Sequence, residues 1–293
     1  MGDKIDNPVV TEHELSELRS LIEVRSGILF DDSRHRFLSS RVAEYMQRRS
    51  LARGADLLRL ITGSNVEYES LLERLLTQET RFYRYPEMFN AFERKVLPEM
   101  HMKKFWENPR TLRIWSAGCA TGEEPYTIAM SICETLEFAE AWNVSILATD
   151  VSREALQCAE RGVYTRRAVE GLTPHQVETY FLRVGEQYMV KPKIRNMVSF
   201  APMNLAQTVY MGRFDCIFCM NVLIYFSDQR RAALIQRFYE YLEPGGYLFL
   251  GHAESAANAQ VKFSQVMHDG ARLLQKPLGM PGPHAFAATE VTP

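Results

Sequence analysis

The stretch that most constrains the fold is an apolar segment followed by a run of small residues, LRIWSAGCATGEEPY, which begins at Leu112. Residues 112–115 are mostly apolar or β-prone, as expected of a short buried strand. Small residues follow, among them Gly118 and Gly122, and after Pro125 the spacing of apolar residues becomes helical. A strand, a glycine-containing loop and a helix in this order predict a site for a nucleotide-type cofactor, because glycines let a ligand approach the backbone closely.

The same loop narrows the class of cofactor. A dinucleotide fingerprint has the pattern G-x-G-x-x-G and leaves the helix N-terminus clear for a pyrophosphate, whereas the glycines here are Gly118 and Gly122. Glu123 and Glu124 lie where that phosphate would bind, and they would repel it. S-adenosylmethionine, which carries an amino-acid cation and no phosphate, fits better. The alternative that both glutamates only complement the helix dipole stays open from the loop alone.

A second alternating segment, Val144, Ile146 and Ala148, predicts a neighbouring strand. Asp150 follows at its carboxyl end, 28 residues after Gly122. An acidic side chain at that place can accept hydrogen bonds from both hydroxyls of a ribose. The alternative is that Asp150 only caps the helix that is predicted to start near residue 152.

Composition bounds the class of protein. The 293 residues are 46% apolar and 24% charged, which is ordinary for a soluble globular chain of one large or two modest domains. The net charge of -2 argues against general nucleic-acid binding. The first ten residues are polar and lack a signal-peptide core, and the longest apolar run, residues 216–226, is too short to span a bilayer. We therefore expect a cytoplasmic protein without membrane insertion.

The five cysteines show neither disulfide nor zinc spacing, which suits a reducing compartment. Cys216 and Cys219 form a C-x-x-C motif within a predicted strand, where their side chains would point to opposite faces. The sequence therefore predicts no metal site.

The chain divides by composition and pattern. Residues 1–10 are expected to be a disordered lead and residues 11–84 a helical domain, opened by a capping-box pattern of Thr11 and Glu14. A helix predicted over residues 33–49 has an apolar face of Leu38, Val42, Tyr45 and Met46. Away from that face it carries Arg34, Arg41, Arg48 and Arg49. This concentrated row suits an acidic partner, although a merely solvated face is the alternative.

Residues 85–108 are expected to form a linker helix that begins at Pro86, since proline is favoured in the first turn. Over residues 109–276 strands alternate with helices, which predicts a parallel sheet covered on both faces. A small β-hairpin is inserted at about residues 180–197, and residues 263–266 and 272–275 pair as a closing hairpin. The tail, residues 277–293, is rich in Gly, Pro and Ala and is expected to be disordered.

Six motifs in this order resemble the CheR-type chemotaxis receptor methyltransferases: TRFYR at 80–84, SAGCATGEEPY at 116–126, ATDVS at 148–152, NL at 204–205, CMNVLIYF at 219–226 and PGGYLFLGHAES at 244–255. The resemblance implies an α/β fold, in which a Rossmann-like S-adenosylmethionine-dependent methyltransferase domain follows an all-α domain and carries a small inserted β-subdomain. It also implies the reaction, methyl transfer from S-adenosylmethionine to glutamate side chains on the cytoplasmic helices of chemoreceptors. The products are glutamate γ-methyl esters and S-adenosylhomocysteine.

The resemblance implies the site residues as well. Its cofactor positions match Gln78, Thr80, Arg84, Glu124, Asp150, Asn204, Leu205, Asn221 and Val222, and Glu123 could share the role of Glu124. Gln78 replaces the asparagine that is usual in the family, so its reach differs. Arg84 is the expected clamp for the incoming carboxylate, with a structural ion pair as the alternative. Tyr225 is expected to donate a hydrogen bond near the methyl group, with a core tyrosine as the alternative.

In this family the N-terminal domain faces the acidic methylation helices, which makes Arg34, Arg41, Arg48 and Arg49 the expected receptor contacts. Some members first bind a pentapeptide at the receptor C-terminus through the inserted hairpin. The turn here is only VGEQ, so we expect independence from that tether, and we expect a monomer. Two alternatives remain, a methyltransferase for another signalling protein and a non-catalytic S-adenosylmethionine-binding scaffold or sensor.

Overall fold

A helical N-terminal domain and a larger α/β domain make up the protein in the computed structural model, which describes residues 9–107, 110–207, 212–257 and 259–278. The predicted class, α/β with an all-α domain before it, is confirmed. Most of the predicted lead, residues 1–8, and most of the predicted tail, residues 279–293, lie outside the described residues.

The N-terminal domain contains α1 Glu12–Ser26, α2 His35–Arg48, α3 Gly54–Gly63 and α4 Asn65–Leu75. The predicted capping box forms, because Thr11 Oγ1 accepts from the Glu14 N–H (3.2 Å) and the Glu14 carboxylate accepts from the Thr11 N–H (2.8 Å). The predicted apolar face of α2 is buried at all four of its positions. This helix starts two residues later than predicted, since residues 32–34 form a 3₁₀ turn that is capped by Asp31.

The linker was predicted as one helix and is interrupted by a wider turn. It runs as α5 Pro86–Ala91, a π-helical segment Phe92–Val96 and α6 Leu97–Lys103. Pro98 has no N–H to donate to the carbonyl of Arg94, and its ring would clash with that carbonyl in a regular helix. The wider turn accommodates this proline.

The α/β domain follows in the order β1 Arg110–Ala117, α7 Glu123–Thr135, β2 Trp142–Asp150, α8 Arg153–Arg161, β3 Val163–Thr165, α9 Arg166–Val169, α10 Pro174–Tyr180, β4 Phe181–Val184, β5 Gln187–Val190, α11 Pro192–Arg195, β6 Val198–Pro202, β7 Phe214–Cys219, α12 Asp228–Tyr241, β8 Leu242–Leu250, β9 Ser264–His268 and β10 Ala271–Gln275. The main sheet has the order β6-β2-β1-β7-β8-β10-β9. Its first five strands are parallel, and the closing hairpin β9–β10 is antiparallel, as predicted.

One local prediction in this domain needs correction. The inserted hairpin β4–β5 exists, but β3 joins it to make a three-stranded sheet. With three residues, β3 is too short to show alternation in the sequence. β8 begins at Leu242 and runs through Pro244, Gly245 and Gly246. Gly246 permits this, because a Cβ there would lie 2.8 Å from the carbonyl oxygen of Asp215 on β7.

The five cysteines are free, and Cys216 and Cys219 are buried within β7. Among the described residues no cluster of three or more His, Cys, Asp or Glu side chains could hold a metal ion. No helix in the same ranges is long and apolar enough to cross a membrane.

The helical domain packs on the edge of the sheet where the parallel strands end. The Leu29 N–H donates to the Tyr225 carbonyl (2.8 Å), and Ile28 forms a β-bridge with Phe226. Gly27, which links α1 to this contact, has a φ of +81°, and a Cβ there would lie 2.8 Å from the Cβ of Ala206. A glycine is therefore required where the two domains meet.

The opposite end of the sheet depends on a buried ion pair. Lys104 Nζ lies 2.8 and 2.9 Å from the two carboxylate oxygens of Asp215, whose side chain also accepts from the Arg113 N–H. Lys104→Met leaves that carboxylate buried without its cation, which should lower the free energy of unfolding by about 3–5 kcal/mol. Urea unfolding of both proteins measures the difference.

Lys103→Met is the matched control, because Lys103 is exposed and bonds only to the Pro244 carbonyl among the described residues. We expect it to change the free energy of unfolding by less than about 1 kcal/mol. Equal effects of the two substitutions would contradict the role given to the buried pair.

Candidate active site

A cavity of about 260 Å³ lies where β1, β2 and β7 end, beneath the helical domain. Ten of the eleven predicted cofactor and catalytic residues line it: Gln78, Thr80, Arg84, Glu124, Asp150, Asn204, Leu205, Asn221, Val222 and Tyr225. Neighbouring parallel strands present their carboxyl ends at one edge, which explains how distant motifs come together here.

The glycine loop brings two strand ends into contact. Gly118 has a φ of +85°, and a Cβ at this position would lie 2.3 Å from Val222 Cγ2. The Gly118 N–H also donates to the Thr149 carbonyl of β2 (2.8 Å). Because no side chain fits between the loop after β1 and the turn after β7, glycine is required at this position.

The two adjacent glutamates of the loop have different surroundings. Glu124 lines the cavity and accepts from Ser116 Oγ (2.6 Å), and burial raises the pKa of its carboxyl to about 7. Glu123 is buried away from the cavity wall and accepts from Thr121 Oγ1 (2.7 Å). Successive helical residues point about 100° apart, so the structure gives no support to the shared role predicted for Glu123.

Asp150 lines the cavity at the end of β2, and each of its oxygens accepts one backbone N–H, from Ala120 (2.9 Å) and from Ser152 (2.9 Å). Burial raises the pKa of this carboxyl. The cap of α8 is Ser152, whose Oγ accepts from the Ala155 N–H (3.0 Å), so the alternative that Asp150 is only the helix cap is wrong. Its remaining lone pairs can accept two hydroxyl groups.

Gln78, the residue that departs from the family pattern, connects the segment after α4 to the edge of the sheet. Its Nε2 donates to Ser152 Oγ (2.9 Å), two residues beyond Asp150. Ser152 Oγ in turn donates to the Glu73 carboxylate of α4 (2.5 Å). The longer amide therefore joins both domains beside the cavity.

The Asn204 side chain forms its hydrogen bonds with backbone groups of the described residues. Its Nδ2 donates to the carbonyl of Arg25 at the end of α1 (2.8 Å), and its Oδ1 accepts from the Ala206 N–H (2.9 Å). Leu205 between them is buried. This turn therefore attaches the end of α1 to the wall of the cavity.

Asn221 has a left-handed backbone, with a φ of 63°. Its Nδ2 donates to Tyr85 Oη (2.7 Å), whereas its Oδ1 is buried without a partner among the described residues. A buried acceptor without a donor is costly and is rare unless a ligand supplies the donor. A ligand with N–H or O–H groups therefore fits this wall of the cavity.

Arg84 lines the cavity from the segment that precedes α5, and Tyr225 lines it from the turn after β7. The Arg84 guanidinium donates to the Glu79 carbonyl (2.6 Å) and forms no ion pair within the described ranges, so the structural ion pair considered as an alternative is not found. Tyr225 is half-buried, and its hydroxyl makes no hydrogen bond with the described residues. The Arg34 guanidinium lies 4.9 Å from the centre of its ring.

Comparison with known families agrees with this geometry. Residues 13–76 match the family model described as CheR methyltransferase, all-alpha domain, and residues 78–271 match the model described as CheR methyltransferase, SAM binding domain. The chain belongs to the CheR methyltransferase family. It is therefore an S-adenosylmethionine-dependent methyltransferase, as the motifs predicted.

Three CheR relatives are named chemotaxis protein methyltransferases. One from Vibrio parahaemolyticus is 36% identical over 264 residues, which cover 88% of this chain and 94% of the relative. One from Pseudomonas aeruginosa is 34% identical over 256 residues (85% and 92%), and one from Escherichia coli is 31% identical over 264 residues (87% and 88%). Both domains are therefore included in these similarities.

The cavity of this CheR member suits S-adenosylmethionine chemically. Glu124 would hold the cationic amino group, Asp150 the ribose hydroxyls, and Asn221 Oδ1 would accept from a ligand donor. The cofactor supplies a methyl group on a positively charged sulfur. Acidic side chains and an orphaned acceptor match such a ligand better than a phosphate.

Several functional residues were not predicted from the sequence. The Glu254 carboxylate is 2% exposed and accepts four backbone N–H groups, from Asn221 (2.9 Å), Val222 (2.8 Å), Leu223 (2.7 Å) and Gly251 (2.6 Å). The helical domain adds Ser26 and Ile28 to the cavity wall. Glu254 lies within the GHAES motif, but no local pattern in the sequence predicts that it accepts hydrogen bonds from a turn 31 residues earlier.

The predicted arginine row lies in and beside α2, since Arg34 is in the 3₁₀ turn before this helix and Arg49 follows its last residue. The row is divided between neighbours and solvent. Arg41 pairs with Glu44 (3.1 Å) and Arg49 pairs with Glu67 (2.9 Å), while Arg48 is exposed. Arg34 stacks on Phe30 (4.7 Å) as well as on Tyr225. One end of the row therefore lies beside a residue of the cavity wall.

Replacing Gly118 should abolish the fit between the two strand ends. Gly118→Ala adds a Cβ 2.3 Å from Val222 Cγ2 at a φ that alanine disfavours, a strain of about 1–3 kcal/mol before the neighbours move. We expect S-adenosylhomocysteine to bind about tenfold or more weakly in isothermal titration calorimetry. Gly63→Ala is the control, since nothing lies within 4 Å of a Cβ there and its binding should match the wild type.

The raised pKa of Glu124 predicts pH-dependent cofactor binding. The carboxylate attracts the ligand's ammonium group and the protonated carboxyl does not, so affinity should be constant above about pH 7 and fall by about tenfold per unit below it. Calorimetric titration with S-adenosylhomocysteine between about pH 5.5 and 7.5 tests this. Glu124→Gln cannot titrate and should bind weakly with a flat profile; a flat profile in the wild type would contradict the assignment.

Proposed function

We propose that this enzyme transfers a methyl group from S-adenosylmethionine to glutamate side-chain carboxylates on the cytoplasmic methylation helices of chemoreceptors. The observation that carries the proposal is Arg84, a guanidinium in the wall of the cofactor cavity without an ion pair among the described residues. Such a group can receive an anionic acceptor. The chemotaxis names of the CheR relatives support a receptor as the acceptor.

The chemistry needs alignment more than proton transfer. A glutamate with a pKa of about 4.3 is already ionised at neutral pH, so no general base is required. Its oxygen forms the new bond to the methyl carbon while the carbon–sulfur bond breaks and its electron pair returns to sulfur. The negative and positive charges cancel, which leaves a γ-methyl ester and S-adenosylhomocysteine. The protein must hold oxygen, carbon and sulfur in line and exclude water.

Arg84 is suited to hold the acceptor. Its planar fork can make two parallel hydrogen bonds to one carboxylate. The bond to the Glu79 carbonyl occupies one N–H group and leaves others for the acceptor. The Tyr225 hydroxyl, which has no partner among the described side chains and backbone, is the second donor that we assign to this side of the cavity.

The arginine row of α2 supplies the receptor surface in this proposal. Arg34 lies beside Tyr225, so an acidic helix along Arg34, Arg41, Arg48 and Arg49 would bring its glutamates toward the cavity. The exposed pair Arg41–Glu44 is worth about 0–1 kcal/mol, so its exchange for receptor acids costs little. We propose that the enzyme works as a cytoplasmic monomer.

The short β4–β5 turn, Val184 to Gln187, supports methylation that does not depend on a receptor C-terminal pentapeptide.

Methyl-labelled S-adenosylmethionine is incubated with chemoreceptor-containing membranes, and base then releases label from esters as volatile methanol. Equal rates with receptors lacking their last five residues are expected. Label that stays on the protein after base treatment would contradict methylation of glutamate. Binding of S-adenosylhomocysteine without any methyl transfer would favour a sensor or scaffold.

Removing the guanidinium should separate turnover from cofactor binding. For Arg84→Ala we expect receptor methylation to fall about 10- to 100-fold, because a hydrogen bond to a charged group is lost at the acceptor. S-adenosylhomocysteine affinity should stay within a few-fold of the wild type. Arg74→Ala, an exposed position on α4, is the control and should retain full turnover. Equal losses of turnover and affinity in Arg84→Ala would refute the clamp.

A further inference from the structure

Tyr85 is a strained aromatic residue at the start of the linker helix. It directly follows Arg84 and precedes Pro86, and its φ of 64° and ψ of 71° are left-handed. An aromatic residue in that conformation costs about 1–3 kcal/mol and persists only where surrounding contacts hold it. The side chain is absent from the wall of the cavity, so strain here has no direct ligand to explain it.

Side-chain contacts hold Tyr85 from three directions. Its Oη accepts from Asn221 Nδ2 at 2.7 Å. Its ring packs 4.3 Å from the imidazole of His252, which itself bonds to the Glu87 carboxylate. The Arg84 guanidinium lies 5.6 Å from the centre of the same ring. Tyr85 thus connects the residue proposed to receive the acceptor with a residue on the cofactor side.

The carboxamide of Asn221, which bonds to Tyr85, needs a restraint from outside its own turn. Glu254 fixes the backbone of the turn at Asn221 through hydrogen bonds, but it does not hold the carboxamide. Rotation about the terminal torsion of an asparagine is broad, so backbone geometry alone does not orient its amide. The bond to Tyr85 Oη is the only one that the Asn221 side chain makes among the described residues.

We propose that Tyr85 is a positioning residue for methyl transfer. Its hydroxyl fixes the carboxamide of Asn221, so that Oδ1 is kept available to a donor of the bound cofactor. Because Tyr85 directly follows Arg84 in the main chain, the same contact sets the cofactor side relative to the acceptor clamp. This inference rests on the cofactor role proposed for Asn221.

Tyr85→Phe removes the hydroxyl and keeps the ring that packs on His252. A net hydrogen bond is worth a few-fold in an equilibrium constant, so we expect S-adenosylhomocysteine to bind about 3- to 10-fold more weakly in calorimetry. The KM for S-adenosylmethionine should rise, while the KM for the receptor should stay at its wild-type value.

Tyr83→Phe is the matched control. Tyr83 lies two residues earlier, also has a left-handed φ (49°), and its hydroxyl accepts from Gln176 Nε2 (3.1 Å) instead of from a cavity residue. Its removal should leave S-adenosylhomocysteine affinity unchanged. An equal loss in both variants would overturn the proposal, since it would mean that any hydroxyl of this segment matters.

A double-mutant cycle with Asn221→Ala tests whether Tyr85 acts through Asn221. In the Asn221→Ala background, Tyr85→Phe should have no further effect on affinity, because the group that it positions is gone. A loss of the same factor in both backgrounds, or no loss in the wild-type background, would overturn the inference. The readout is ligand binding alone, so a protein that binds S-adenosylhomocysteine but methylates no receptor would refute the proposed acceptor without affecting this cycle.

Discussion

The structure of the site depends on one buried carboxylate. Glu254 accepts the N–H groups of three consecutive residues after β7, Asn221, Val222 and Leu223, and of Gly251 after β8. A buried carboxylate is tolerable only when its lone pairs are satisfied in this way. Its contacts fix a left-handed turn that would otherwise relax, and they place Val222 against Gly118. The cavity wall therefore has its shape before any ligand binds.

The helical domain completes the cavity, so the two domains form one site. Glu73 on α4 accepts from Ser152 Oγ and from the Glu154 N–H (3.2 Å) at the start of α8. Gln78 adds a bond to the same serine. A carboxylate at a helix N-terminus is favoured by the dipole and by unsatisfied N–H groups. This contact explains why position 78 tolerates glutamine in place of the shorter asparagine. The Gln78 amide bonds to Ser152 of the protein, which lies two residues after Asp150, the residue assigned to the ribose.

Site residues whose place follows from local sequence patterns were predicted correctly. Asp150 and Asn221 follow apolar strands, and parallel strands place their ends at one edge, so both residues were predicted in the site and line the cavity. Glu123 was assigned with its neighbour because spacing alone does not say which of two adjacent helical carboxylates faces a ligand. Ser26 and Glu254 depend on how domains and distant turns pack, and no periodicity encodes that packing.

The charges of the site suit the proposed reaction, in which a negative and a positive charge cancel. Glu124 and Asp150 lie in the interior of the cavity, where burial raises the pKa of both carboxyls and a bound cation would stabilise their ionised forms. Arg84 lies in the wall, and Arg34 stacks beside Tyr225. An interior that favours a cation next to guanidinium groups that favour an anion draws two oppositely charged reactants to adjoining places. Since the products of the proposed reaction are neutral at the reacting atoms, the attraction that assembles the reactants weakens once the methyl group has moved, which would favour release of the ester.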